Sequence, residues 1–351
     1  MAATDLATPF VSLHPELARL LEQAKPLAWA TFRLRLQAQQ PCRLPDYLGS
    51  ALRGVFGHAF KSAVCLVSHG DCVRCLLRAR CPYPYVFETF RPDGAEWMTR
   101  YDTVPHPYLL LPPAPGDQSL QAGERLEVGF RIFGPAVELL PYFILAWEEM
   151  GRRGLGAGRH PFALEEISWL SPAGQARRIY VPGGSLEADP ATLLSRFEPE
   201  ATPPTGPVRL GLETPLRLTR DGRPLTDSLP FDRLVSSLLR RLSMLLYFHQ
   251  RIQLTGDFGA VTRAAAEVPV LEQRLAYHGL PRWSNRQQRK MTFDGLSGEI
   301  VYGPEALAFW PLLRLGETLL AGKGTSFGLG RYRLMSAGPD CRAGNGCSQD
   351  G

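Results

Sequence analysis

Two stretches decide the fold because they repeat one plan: "FRIFGPAVELLPYFILAWEEMGRRGLGAGRHPF" (130–162) and "GEIVYGPEALAFWPLLRLGETLLAGKGTSFGLGRYRL" (298–334). Each reads as a strand, a Gly-Pro step, an apolar helix carrying a second proline, a glycine-rich loop and a closing strand. Pro135 and Pro304 suit a first helical turn, where a missing N–H costs nothing. Pro141 and Pro311 fall inside the helical pattern and predict helices that are kinked or short there. Working outward, "LAWATFRLRLQ" (27–37) reads as a strand before a helix from Tyr47 to Val64, and "VRLGLETPLRL" (208–218) as a strand before a helix from Phe231 to His249. Both halves then follow the βαββαβ order of a ferredoxin-like module. The expected fold is α+β, two such modules in tandem. An N-terminal extension covers 1–26, the first module 27–197, the linker "EPEATPPTGP" 198–207, the second module 208–336, and a Gly/Asp/Ser tail that reads as disordered 337–351.

The 351 residues, 44% of them hydrophobic, are enough for two domains of ordinary size. Lys and Arg number 39 against 34 Asp and Glu, a net charge of +5 that suits a polyanion and is carried mainly by arginine, whose planar fork matches phosphate. No basic segment followed by an apolar core opens the chain, and no apolar run of about 18 residues occurs. A cytoplasmic protein that does not span a membrane is expected.

Within the first module, Cys65, Cys72, Cys75 and Cys81 are separated by six, two and five residues, a spacing that lets four thiolates close round one metal. Structural tetrahedral zinc is the expected occupant and an iron–sulfur cluster the alternative, with His69 a substitute ligand. The surrounding "CLVSHGDCVRCLLRARC" is too polar for a core element.

Four segments in order, "LRGVFGHAFKSAVC" (52–65), "CPYPYVFET" (81–89), "RWSNRQQRKM" (282–291) and "LLRLGETLLAGKGTSFGLGRYRL" (312–334), resemble the CRISPR-associated precursor-crRNA processing endoribonucleases, in their cysteine-containing branch. Two ferredoxin-like, RRM-like modules ending on a glycine-rich loop likewise resemble the wider RAMP superfamily. The resemblance implies cleavage of CRISPR repeat RNA without a catalytic metal, leaving a 2′,3′-cyclic phosphate and a 5′-hydroxyl. It also implies other CRISPR effector subunits as partners and a monomer or homodimer. A non-catalytic RNA-binding subunit would share fold, charge and loop; a redox or regulatory metalloprotein would rest on the cysteines alone.

RNA is cut without a metal when its own 2′-hydroxyl attacks the next phosphate, which asks for a proton acceptor and a cation. In "DYLGSALRGVFGHAFKSAV" (46–64) Asp46 is placed to cap a helix whose Leu48, Leu52, Val55 and Ala59 form an apolar stripe. On a neighbouring face stand His58 as base or acid, Lys61 as charge stabiliser and Tyr47 as helper, a trio the family's histidine-based members also place in this region. His249 and His278 are the rival histidines. For RNA binding, "RWSNRQQRK" offers Arg282, Arg286, Arg289 and Lys290 with Trp283 for base stacking, and Arg286 with Gln287 resemble the family's arginine–glutamine motif. In the last loop Gly322, Gly324, Gly328 and Gly330 let backbone approach a phosphate or pack tightly, with Lys323, Thr325, Ser326 and the adjoining Arg331 as donors. The basic first-half counterpart "GRRGLGAGR" (151–159) points to one continuous groove.

Overall fold

Strand β1 (Ala28–Ala38) buries every second side chain, from Ala28 through Phe32 and Leu36 to Ala38, as a strand with one covered face must. The computed structural model describes residues 12–67, 71–92, 94–99, 104–198, 203–284 and 289–335, with backbone alone at 281–284 and 289–291. After β1 come helix α1 of the module core (Gly49–Val64), β2 (Tyr108–Leu111), β3 (Arg125–Phe133), α2 (Leu140–Arg153) and β4 (Phe162–Leu170). The strands order as β2-β3-β1-β4, all antiparallel, and β5 (Ala176–Tyr180) extends the β4 edge.

The second module repeats this with β6 (Val208–Leu216), α3 (Phe231–Gln250), a short α4 (Phe258–Ala266), β7 (Val270–Ser284), β8 (Arg289–Tyr302), α5 (Trp310–Leu319) and β9 (Tyr332–Met335). Its order β7-β8-β6-β9 is the same, second-third-first-fourth. Two βαββαβ sheets therefore stand in tandem. In α3, Phe231, Leu234, Val235, Leu238, Leu242, Leu245 and Leu246 keep the spacing of three and four that turns one helical face to a core.

The repeat also explains its second prolines. Residues Gly134–Leu139 and Pro304–Phe309 form 3-10 helices, and Pro141 and Pro311 open fresh α-helices at Leu140 and Trp310. Neither helix is kinked, because each proline sits in a first turn where no N–H is required.

Each module has its own apolar core. In the first, the Phe56 and Trp147 rings stack at 4.1 Å between α1 and α2. The second is sealed by an N-terminal helix (Pro15–Ala24) that buries Leu17, Leu20 and Leu21. No helix among the described residues is long and apolar enough to cross a membrane.

The modules are joined by two arginines, Arg241 buried and Arg131 half-buried. Arg131 of β3 donates to the carbonyl of Thr318 and Arg241 of α3 to that of Leu319, so one arginine from each module grips the C-terminal end of α5. That end carries the negative pole of the helix, which offsets part of the cost of burying the charges. Burial still holds both guanidiniums below their usual range, Arg131 at about 10 and Arg241 at about 9.

Candidate active site and RNA interface

Helix α1 starts later than its sequence predicts. Leu48 is the N-cap, with no side-chain cap, and Asp46 instead accepts the Gly116 N–H on its backbone carbonyl. Tyr47 therefore precedes the helix and is not one of its faces. Its hydroxyl donates 2.6 Å to the carbonyl of Phe327 in the glycine-rich loop, and burial pushes its ionisation well up. The expectation of Tyr47 as a catalytic helper beside His58 is corrected: it is a buried strut.

That strut belongs to a small third core. Tyr47, Phe293 and Leu329 are buried together, with Leu280 and Phe327 packed against them. Phe293 meets Tyr47 edge-on at 6.4 Å and Phe327 at 4.9 Å. The start of α1, the β7–β8 hairpin and the glycine-rich loop thus meet at one point. Gly49 is needed there, since a Cβ would lie 2.0 Å from the Phe327 carbonyl oxygen.

His58 is exposed on the outer side of α1, nine residues beyond Gly49, which is about 13 Å along the axis. Lys61, half-buried one turn on, holds its ammonium 5.2 Å from the Tyr83 ring. Burial, with Glu88 second, pushes the Tyr83 phenol up to about 12. Arg153, at the end of α2, donates 2.9 Å to Ser62 Oγ, which in turn donates to the His58 carbonyl. A histidine, a lysine and an arginine therefore border one exposed patch.

Arg53 and His106 carried no signal in the sequence, because their partners lie about fifty residues apart along the chain. Arg53 lies 4.7 Å from the Phe327 ring and donates 3.0 Å to His106 Nε2. Since arginine only donates, Nε2 accepts, and the proton of His106 sits on Nδ1, facing the Val86 carbonyl at 3.0 Å. Burial and then Arg53 hold His106 down at about 3. The rival His249 is likewise structural: buried, it donates from Nε2 to the Pro105 carbonyl at 2.7 Å across the module boundary, and burial lowers it to about 4. His278 is exposed on β7, opposite Gly295.

The described parts of the basic segment, 282–284 and 289–290, lie on the paired strands of a long hairpin. Trp283 pairs with Lys290, Arg282 with Met291 and Ser284 with Arg289, whereas β8 pairs with β6 only from Leu296 onward. The six or seven residues beyond that pairing extend the hairpin about 20 Å past the sheet. Arg286 and Gln287 lie outside the described residues, as does His69.

The glycine-rich loop mixes both expectations. Gly330, at φ 75°, would place a Cβ 1.8 Å from the Ala321 carbonyl oxygen, and Gly328 packs on Pro112 and the Leu110 carbonyl, so these are packing glycines. Thr325 and Ser326 are buried, and Arg331 pairs with Glu213 at 2.7 Å and donates to the Pro112 carbonyl, which corrects its reading as a free phosphate ligand. Lys323 remains exposed next to Gly322 and Gly324. In the first-half loop, Arg152 and Arg153 both pair with Glu149.

The cysteine segment is a series of turns. Burial raises the Cys72 thiol against the pull of Lys61, and Glu88, Cys65 and Cys81 raise it further. Among the described residues no group of three or more His, Cys, Asp or Glu is placed to hold a metal. In this arrangement the four cysteines do not form a ligand shell.

Against known proteins, residues 27–191 match the family model AF_1859_N, described as an N-terminal domain, and residues 210–332 match that of the CRISPR-associated endoribonuclease Cas6. The second module is a Cas6 endoribonuclease domain. An uncharacterized protein of Archaeoglobus fulgidus is 26% identical over 296 residues, covering 84% of this chain and 93% of its own. Thermus thermophilus Cas6 shares the fold with a TM-score of 0.50 at 14% identity, over 88% of this chain and 99% of that one. A chain of a Cas6-RT-Cas1–Cas2 complex superposes with a TM-score of 0.53 at 12% identity over 89% of this chain; our chain spans about half, 47%, of its length. The match to the Cas6 model thus covers the second module, the whole chain shares the Cas6 fold, and the meeting point at Tyr47 joins that module to the helix that bears His58.

Proposed function

We propose that this protein processes precursor CRISPR RNA by cutting within the repeat, the 2′-hydroxyl upstream of the scissile bond attacking the phosphate to leave a 2′,3′-cyclic phosphate and a 5′-hydroxyl. One observation carries the reading: a single buried cluster, Tyr47, Phe293 and Leu329, ties the start of the His58 helix, the basic hairpin and the glycine-rich loop together. RNA entering along the hairpin and past Lys323 would reach the outer side of α1. There His58 moves a proton to or from the reacting oxygens, and Lys61 and Arg153 stabilise charge on the phosphorane. The Tyr83 ring fixes the lysine. The match of the second module to the Cas6 endoribonuclease model supports RNA as substrate.

The decisive test is single-turnover cleavage of the repeat RNA. His58→Ala is expected to lose about a hundredfold or more in rate at nearly unchanged affinity. Cleavage should survive EDTA and stop when the upstream nucleotide lacks its 2′-hydroxyl. Cutting of the deoxy substrate at the same bond would overturn the mechanism, and a wild-type chain that binds but never cuts would make it a non-catalytic RNA-binding subunit.

The cysteines belong to the same proposal in a structural role. Their spacing of six, two and five residues favours closure of the four thiolates round zinc, or an iron–sulfur cluster.

A further inference from the structure

Between the cysteine segment and residues 84–92 lies a groove of about 530 Å³, lined among others by Cys75, Arg78, Tyr85, Phe90 and Arg91. It holds two guanidiniums and two aromatic rings, and none of the residues lining it is acidic. The Arg78 guanidinium lies 4.8 Å from the Phe90 ring, a planar cation laid on a planar ring. Arg91 is held in place by the Ala95 and Thr99 carbonyls, yet its buried Nε has no acceptor among the described residues. Burial raises the Tyr85 phenol to about 12, so it stays a neutral ring and donor. Two residues earlier, Tyr83 supports Lys61, so one short segment borders both the His58 helix and the groove.

We infer that this groove is a second RNA subsite that takes one unpaired nucleotide, its base stacked against the Arg78–Phe90 pair and its phosphate facing Arg91. The volume falls within the ~300–1,000 Å³ of small-ligand sites. Rings and guanidiniums together are what unstacked bases and their phosphates use; an acidic peptide would use the cations and leave the rings idle. Exposed Arg74 and Arg80 on the same segment extend the positive rim. The identity of the polymer rests on the proposed function; the nucleotide chemistry of the groove does not.

The test uses the full chain as purified and ligand-observed NMR titration with 5′-AMP, 5′-UMP, inorganic phosphate and a hexaglutamate peptide. The mononucleotides should bind saturably and more tightly than phosphate. Phe90→Leu, which keeps bulk and loses the ring, and Arg78→Gln should each weaken them by about fivefold or more. If Phe90→Leu fails to fold, Arg78→Gln alone decides. Equal mononucleotide binding by wild type and folded variants, no binding at all, or preference for hexaglutamate would overturn the proposal. A repeat-cleavage assay run alongside separates the two readings: nucleotide binding without cleavage removes the proposed function and leaves the subsite, and cleavage without nucleotide binding does the reverse.

Discussion

Tyr47→Phe separates a strut from a catalytic residue. The phenol donates 2.6 Å to the Phe327 carbonyl and sits 6% exposed between the modules, so removing its oxygen deletes one buried neutral hydrogen bond. The cost is about 1–2 kcal/mol. At about 2–4 °C per kcal/mol for a unit of this size, the melting temperature should fall by about 2–8 °C. The ring remains to pack on Phe293, so no cavity term is added. Because burial keeps the phenol protonated at any working pH, single-turnover cleavage below the new melting point should change by less than about threefold. Thermal unfolding followed by circular dichroism and quenched-flow cleavage on the same preparation read both numbers. An unchanged melting temperature with a hundredfold slower cut would refute the reasoning and return Tyr47 to the chemistry.

Other outcomes follow from the same contacts. His249 is held at about 4 in the folded state and titrates near 6.5 when unfolded, so it favours the fold above about pH 6.5 and loses that contribution as pH falls toward 4. The unfolding free energy from denaturant titration should drop by about 1.5 kcal/mol between pH 6.5 and 5 on its account, and a His249→Gln profile that runs parallel to wild type would remove this explanation. Lys323→Ala should weaken repeat RNA and reduce the slope of log affinity against log salt by about one, measured by filter binding; an unchanged slope would take Lys323 off the phosphate path. Freshly purified protein should carry about one zinc or one iron–sulfur cluster per chain by elemental analysis, and Cys72→Ser should lower the melting temperature of the first module before it alters cleavage. Metal-free protein with a normal Cys72→Ser variant would leave these cysteines unligated.

Much of this architecture was legible because the chain states it twice. Alternation in β1, three-and-four spacing in α3 and the repeated Gly-Pro steps are local patterns, and local patterns survive in a single sequence. The start of α1 was not legible: Asp46 and Tyr47 look like a cap and a first turn, but packing of Gly49 against Phe327 sets where the helix begins. Contacts between distant residues were hidden for the same reason. Nothing near Arg53 announces His106, and nothing near Arg131 announces the end of α5. Glycines in 322–330 told of close approach without telling whether chain or phosphate approaches; Gly328 and Gly330 answer to chain.

The grip on α5 has a consequence for the history of the repeat. Helix α2 ends in its own basic pair, Arg152 and Arg153, whereas α5 has no basic residue in its last turn and takes Arg131 from the other module and Arg241 from its own. The two copies are therefore no longer interchangeable, and the second is not self-sufficient. Cut within the linker and expressed apart, the halves should behave as complementing fragments, the second frayed at its glycine-rich loop until the first is supplied.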